Sequence, residues 1–169
     1  YLLKLYVKFH EEAEKEDSLN QQARDEFKKL EDGNPQSKEL WDIFRELSLK
    51  EFNRIYDILG MTFDSYDGEA SINKQVQPAI EEIKEKVKTE MSDGALIVDL
   101  EEYNMPPMLL LKSDGATTYH SRDMATAFKR LRKLRAQKLL YIVGSEQKLH
   151  FKQLFKVLEM MGYPKENFI

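Results

Sequence analysis

Apolar positions at the start of the chain recur at helical spacing. In "LLKLYVKFHEEAEKE", Leu2, Leu5, Tyr6, Phe9 and Ala13 share one face, which predicts a helix. Asp17 or Ser18 is placed to cap a second, short helix ending near Leu30. "EDGNP" then breaks the pattern, with Asn34 as an N-cap and Pro35 at the first helical position. In the longer run after it, Leu40, Ile43, Phe44 and Leu47 form one stripe, and Phe52, Ile55, Tyr56 and Leu59 a second. Ser48-Leu49-Lys50-Glu51 between them has a capping-box pattern and predicts a kink or restart. Gly60 is a helix stop.

Past Gly60 the pattern changes. "MTFDSYDGEAS" is aromatic and rich in turn residues. "QPAIEEIKEKVKTE" predicts a helix, with Pro78 near its start and Ile80, Ile83 and Val87 on one face. "ALIVDL" and "MLLLK" are short apolar runs bounded by turn signals and read as buried strands. "MPP" limits pairing at the start of the second. "DMATAFKRLRKLR" is a helix with Met124, Ala127, Phe128, Leu131 and Leu134 on its apolar face. "KLLYIVG" reads as a strand, and "SEQKLHFKQLFKVLEMMG" as a helix with Leu149, Leu154, Leu158 and Met161 inward. Strand, helix, strand, helix is the order a parallel α/β layer needs, and such layers bind ligands where strands lead into helices. "SDGATTYHSRD" and "GSEQKLH" occupy those positions. "SDGA" occurs twice, at Ser92–Ala95 and Ser113–Ala116. Turn chemistry explains both copies, and only the polar residues after the second copy make it a candidate site.

Composition narrows the class. Hydrophobic residues make up 41% and charged residues 33%, enough apolar material for a core. No apolar run approaches the roughly 18 residues of a membrane span, and the charged N-terminus does not resemble a signal peptide. The chain starts at Tyr1 instead of Met, as expected of an excised piece. The absence of cysteine excludes disulfides and thiolate metal sites and fits a reducing compartment. The histidines, His10, His120 and His150, lack metal-ligand spacing. A net charge of −4 argues against a chain that is basic throughout. The local run Lys129, Arg130, Arg132, Lys133, Arg135, Lys138 is either a solvated helix face or a contact for an RNA backbone.

Chemistry concentrates in the two loop-to-helix segments. Tyr119 and Asp123 are four apart. If the helix starts early they share a face; if it starts at Asp123, that residue is simply its N-cap and Tyr119 packs. In the functional reading both groups face a cationic ligand. In the second segment Gly144 ends an apolar run, and Gln147 and His150 fall in the first helical turn, where backbone N–H groups favour anions. Glu69 lies in a glycine turn, "YDGEAS".

Together these stretches carry a resemblance. "KSDGATTYHSRD" and "VGSEQKLHF", with "LWDIFRELSLKEFNRIYDILGMTFD" upstream, resemble the catalytic domain of arginyl-tRNA synthetases, which are class I aminoacyl-tRNA synthetases. The resemblance covers essentially the whole chain. It implies an α/β fold: part of a Rossmann-like catalytic domain with a helical N-terminal part and a small α+β insertion. The implied parts are a helical segment at 1–60, the insertion at 61–112, and the start of the second Rossmann half at 113–169. It also implies activation of L-arginine by ATP to arginyl-adenylate, with Mg2+ accompanying the ATP, and charging of tRNA(Arg) in the cytoplasm. Tyr119, Asp123, Gln147 and Glu69 then fall at the arginine site, and Gly144 and His150 on the nucleotide side. The Glu69 turn reads "GEA" where the family has "GES", and His120-Ser121 stand where a small residue and Thr are common. Neither an H-x-G-H motif nor a K-M-S-K-type loop is present in this stretch, so the chain alone is not expected to catalyse the complete reaction. The competing reading is a non-catalytic α/β binding or interaction module.

Overall fold

The helical spacing of the first residues is realised as three helices in the computed structural model, which describes residues 2–169 apart from the side chains of Glu31 and Glu69. The chain divides into two units, Tyr1–Ser65 and Tyr66–Ile169. The first holds α1 (Leu2–Ala13), α2 (Ser18–Glu31) and α3 (Pro35–Leu59). Asn34 caps α3 as expected: its side chain accepts from the backbone N–H of Gln36 and of Ser37, each at 3.1 Å. Gly60 ends α3 in the left-handed region at φ 65°, and the Met61 N–H closes on the Tyr56 carbonyl at 2.8 Å. The kink expected at Ser48–Glu51 is absent, and α3 runs unbroken for 25 residues. Glu51 does not reach back to cap. Its carboxylate accepts from Arg54 Nε and Nη2 at 3.0 and 2.7 Å, a pairing one turn ahead that supports a continuous helix. The two α3 stripes exist, but Leu40, Ile43, Phe44, Leu47, Phe52 and Ile55 remain exposed.

The second unit carries the core. A 3-10 turn at Glu69–Ile72 leads into α4 (Asn73–Lys86), which starts earlier than the sequence pattern predicts and takes Pro78 inside it. Val76, Ala79, Ile80 and Ile83 of α4 are buried. The end of the expected helix is a strand instead: β1 (Thr89–Ser92) pairs antiparallel with β2 (Ala95–Val98). Asp93 and Gly94 join them with φ of 48° and 79°, the two-residue turn whose twist matches a hairpin. The first "SDGA" is therefore a hairpin turn. β3 (Met108–Leu111) pairs antiparallel with β2, giving the order β1-β2-β3. In the second "SDGA", the Ala116 N–H donates to Asp114 Oδ1 at 2.9 Å and Gly115 takes φ 81°, closing a tight turn before the next helix.

The parallel layer expected at 113–169 does not form among the described residues. α5 (Tyr119–Phe128) and α6 (Lys148–Met160) are present, but "KLLYIVG" is not a strand. A strand needs a ladder partner, and this segment finds one only briefly. Leu139 and Tyr141 bond to the chain end through Leu139 N to Asn167 O (2.7 Å), Ile169 N to Leu139 O (3.1 Å) and Tyr141 N to Ile169 O (2.8 Å). Leu140, Ile142 and Val143 are left exposed, Ile142 at 93%. The core joins α4, the inward faces of β2 and β3, α5 and α6, around Ile80, Ile83, Val98, Leu110, Met124 and Leu154. Leu149 and Leu134, both expected inward, are exposed. A π-helical turn at Lys129–Lys133 follows α5 and shifts the register by which Leu134 would have met the core.

Part of the basic run has a role that neither sequence reading assigned. Arg132 forms a two-pronged pair with Glu82 of α4 at 2.6 and 2.7 Å, donates through Nε to Tyr163 Oη at 2.7 Å, and lies over the Phe128 ring. Lys129 pairs with Asp67 at 2.6 Å. These cations tie elements of the unit together. The Arg132 hydrogen bonds hold the Glu82 carboxyl at about 2, below its ordinary 4.5. A carboxyl lowered on folding stabilises above its unfolded value and loses that contribution as the pH falls toward its folded value. Glu82→Gln is therefore expected to cost about 1 kcal/mol at pH 7. In urea unfolding across a pH series, the gap to the unsubstituted chain should close between about pH 4.5 and about pH 2.

Candidate functional site

Thr118 decides the geometry of the site. Its hydroxyl donates to the Leu109 carbonyl on β3 at 2.6 Å, while its Oγ1 accepts from the Ser121 N–H at 3.3 Å. Ser121 Oγ in turn accepts from the Thr118 N–H at 3.0 Å. This reciprocal cap starts α5 at Tyr119, directly off the sheet. Asp123 is thus not the N-cap. It lies one turn inside α5, on the same face as Tyr119, so the early-start alternative holds.

Opposite that face is the first turn of α6. His150 Nε2 and Asp123 Oδ2 are 2.7 Å apart. The carboxylate accepts, so the imidazole carries its proton on Nε2. His150 Nδ1 is buried with no hydrogen-bond partner among the described residues. The Tyr119 ring meets His150 edge-on at 4.9 Å and is itself 59% exposed. Asp123 is partly open, with 38% of its side chain exposed, and Oδ1 makes no hydrogen bond among the described residues. A phenol and a half-open carboxylate therefore line one accessible edge, backed by imidazole. That arrangement offers a negative group and a hydroxyl to a planar cation.

The other expected residues fall in different places. Gln147 is exposed, closing the 3-10 turn Ser145–Gln147 at the head of α6. Its backbone N–H bonds to the Gly144 carbonyl at 3.1 Å. A Cβ added to Gly144 would lie 2.1 Å from Glu146 Oε1, so glycine allows that carboxylate to fold over the loop. Glu69 opens the 3-10 turn before α4; its side chain, and with it the expected contact to a guanidinium, lies outside the described residues. Among the described residues no group of three or more His, Cys, Asp or Glu is placed to hold a metal.

Two participants were not selected from the sequence. Gln153 is buried and donates through Nε2 to the carbonyls of Pro106 (2.8 Å) and Pro107 (3.2 Å). Its Oε1 lies 3.2 Å from His120 Nε2. His120 is 6% exposed, and burial together with nearby His150 pushes its imidazole down to about 4. The Thr118-x-x-Ser121 spacing was a usable signal for the helix start, obscured by Ser at the position where Glu or Gln is usual. Nothing local connects His120 to Gln153.

Comparison with known proteins places the chain in a family. The family profile "tRNA synthetases class I (R), catalytic domain" matches residues 1–169. The arginine–tRNA ligase of Clostridium beijerinckii is 53% identical over 162 residues, covering 96% of this chain and 29% of that protein. The arginine–tRNA ligase of Streptococcus suis is 54% identical over 162 residues, with the same coverage of 96% and 29%. Among solved structures, the arginyl-tRNA synthetase of Plasmodium falciparum superimposes with a TM-score of 0.79 at 25% identity, over 90% of this chain and 27% of that one. The chain belongs to the class I tRNA synthetases, in the family of arginine-specific catalytic domains. It spans about 29% of the length of the curated relatives it matches. Among the described residues no helix is long and apolar enough to cross a membrane.

Proposed function

We propose that this chain is part of an ATP-dependent arginine–tRNA ligase and that the edge formed by Tyr119 and Asp123 receives the guanidinium of L-arginine. The observation that carries the proposal is the open Asp123 oxygen beside Tyr119, on one helix face, in a chain whose relatives are named arginine–tRNA ligases. Asp123 supplies the negative group, and Tyr119 an acceptor hydroxyl and a ring edge. Gln147, exposed at the head of α6, is assigned to the α-amino end by resemblance. Glu69 is assigned to the guanidinium side by resemblance. Gly144 and His150 are assigned to the nucleotide side. His150 has committed Nε2 to Asp123, so a nucleotide would meet its ring and not that nitrogen.

In the reaction, an arginine carboxylate oxygen attacks the α-phosphorus of ATP and pyrophosphate leaves, giving arginyl-adenylate; a hydroxyl at the 3′ end of tRNA(Arg) then attacks its carbonyl carbon and AMP leaves. This chain's residues bind and orient the amino acid for those steps. By resemblance the proposed parts are the helical segment 1–60, the insertion 61–112 and the start of the second Rossmann half at 113–169, the last without a parallel layer of its own among the described residues. Cytoplasmic location belongs to the same proposal, supported by kinship with tRNA synthetases. Mg2+ is proposed to accompany the ATP, as the resemblance implies; among the described residues no group of three or more His, Cys, Asp or Glu is placed to hold it.

The test is ATP–pyrophosphate exchange by the full-length protein that carries this chain, with arginine, lysine and citrulline compared. Arginine should support exchange. Citrulline, which replaces the cation by a neutral ureido group, should not; equal exchange with citrulline would refute a charge-reading site. The 169-residue chain by itself should show only background exchange with arginine, because the groups that neutralise the triphosphate are not in it.

A further inference from the structure

His120 lies directly behind the proposed arginine face. Its ring centre is 4.3 Å from that of Tyr119 and 4.6 Å from that of His150. The Gln153 amide fixes its protonation. Both Pro106 and Pro107 offer carbonyl acceptors, so Gln153 must turn its NH2 toward them and its Oε1 toward His120. His120 therefore donates from Nε2, and its Nδ1 is a buried lone pair without a partner among the described residues. A second proton would create a buried donor with nothing to accept it. The groups facing His150 are Tyr119, His120 and Asp123 from α5 and Phe151 from α6. Asp123 is the charged one, and His120 is the one anchored from a third element, the loop carrying Pro106 and Pro107.

We infer that His120 is a positioning residue for the cation site: Gln153 holds its ring, and the ring holds Tyr119 and His150 so that His150 donates to Asp123 Oδ2 and leaves Oδ1 to the ligand. The inference rests on the reading that arginine binds at Tyr119 and Asp123. His120 itself is behind the face and does not touch the ligand. Supporting groups that orient a ligand-binding side chain in this way change its affinity without supplying a contact.

The chain has three histidines, so nitrogen spectra of histidine-labelled full chain resolve each, with His10 as a reference. His150 should show the Nε2–H tautomer. His120→Gln, which keeps a donor toward Gln153, should preserve it. His120→Ala should give mixed tautomers at His150, and Gln153→Leu, which removes the clamp from the other side, should do the same. In the full-length protein His120→Ala should raise the arginine KM about 10-fold with kcat within about twofold, and His120→Gln should recover most of the difference. An unchanged His150 signal in both His120→Ala and Gln153→Leu overturns the inference. So does an unchanged arginine KM in His120→Ala when Asp123→Asn does raise it. If Asp123→Asn leaves KM unchanged, the arginine reading fails, and the nitrogen spectra alone decide whether His120 positions His150.

Discussion

Asp123→Asn in the full-length protein is expected to raise the arginine KM about 100-fold and to change kcat much less. The substitution keeps shape and one acceptor oxygen but removes the charge. A hydrogen bond to a charged group contributes about 1.5–3 kcal/mol, and leaving a bound cation without its counter-charge costs at the upper end of that range. The loss falls on KM because the guanidinium is remote from the reacting carboxylate, so ground state and transition state lose the contact alike. His150 sharpens the expectation. In the variant its Nε2–H still has an oxygen to donate to, so the local fold should survive; thermal unfolding of the variant checks this. A KM within about threefold of the unsubstituted value would remove Asp123 from the arginine site.

The second large effect concerns acid. Burial, with the neighbouring His150, holds His120 down to about 4 in the folded chain, against an ordinary 6.5. Below pH 6.5 the unfolded chain takes up a proton that the folded chain refuses. Folding then weakens steadily down to about pH 4 and levels off once both states bind the proton. The accumulated loss from this one side chain is about 3 kcal/mol. The measurement is the difference between the unsubstituted chain and His120→Gln, which cannot titrate, in urea unfolding from pH 7.5 to pH 3.5. The unsubstituted chain should lose ground to the variant through this window alone. A constant difference would show that His120 titrates normally. This window lies mostly above that of Glu82, so the two contributions separate along the pH axis.

How far these features were legible depends on how local their causes are. Asn34-Pro35, Gly60 and the Asp93-Gly94 turn are fixed by the conformations and hydrogen bonds of adjacent residues, and sequence spacing located them. Ser48–Glu51 carried a local signal that a competing local contact, Glu51 with Arg54, overrode. The first half of β1, Thr89-Glu90, falls at the end of the stretch that reads as a helix, because Thr89-Glu90-Met91-Ser92 is mostly exposed and shows no alternation to read. "KLLYIVG" has strand composition, but a strand is a relation between two segments, and among the described residues it pairs only briefly, with residues 167–169. The site divides in the same way. Tyr119 and Asp123 could be paired by spacing once the start of α5 was known. That start depends on the Thr118 hydroxyl reaching the Leu109 carbonyl, a contact across β3. The Gln153 clamp on His120 spans 33 residues and two proline carbonyls, and no periodicity announces it.

The uncovered segment after Lys138 has a consequence for how this chain behaves in a tube. Leu140 and Ile142 present bare apolar side chains, with β-branched and aromatic neighbours, no charge between 139 and 144, and no proline. Such a stretch is a template for pairing with its own copy. Loss of soluble material should therefore rise steeply with concentration while the core of the second unit remains folded, so colloidal behaviour, not unfolding, sets the working range. A lysine at Ile142, which contributes nothing to the core, should extend that range and leave the melting temperature where it is.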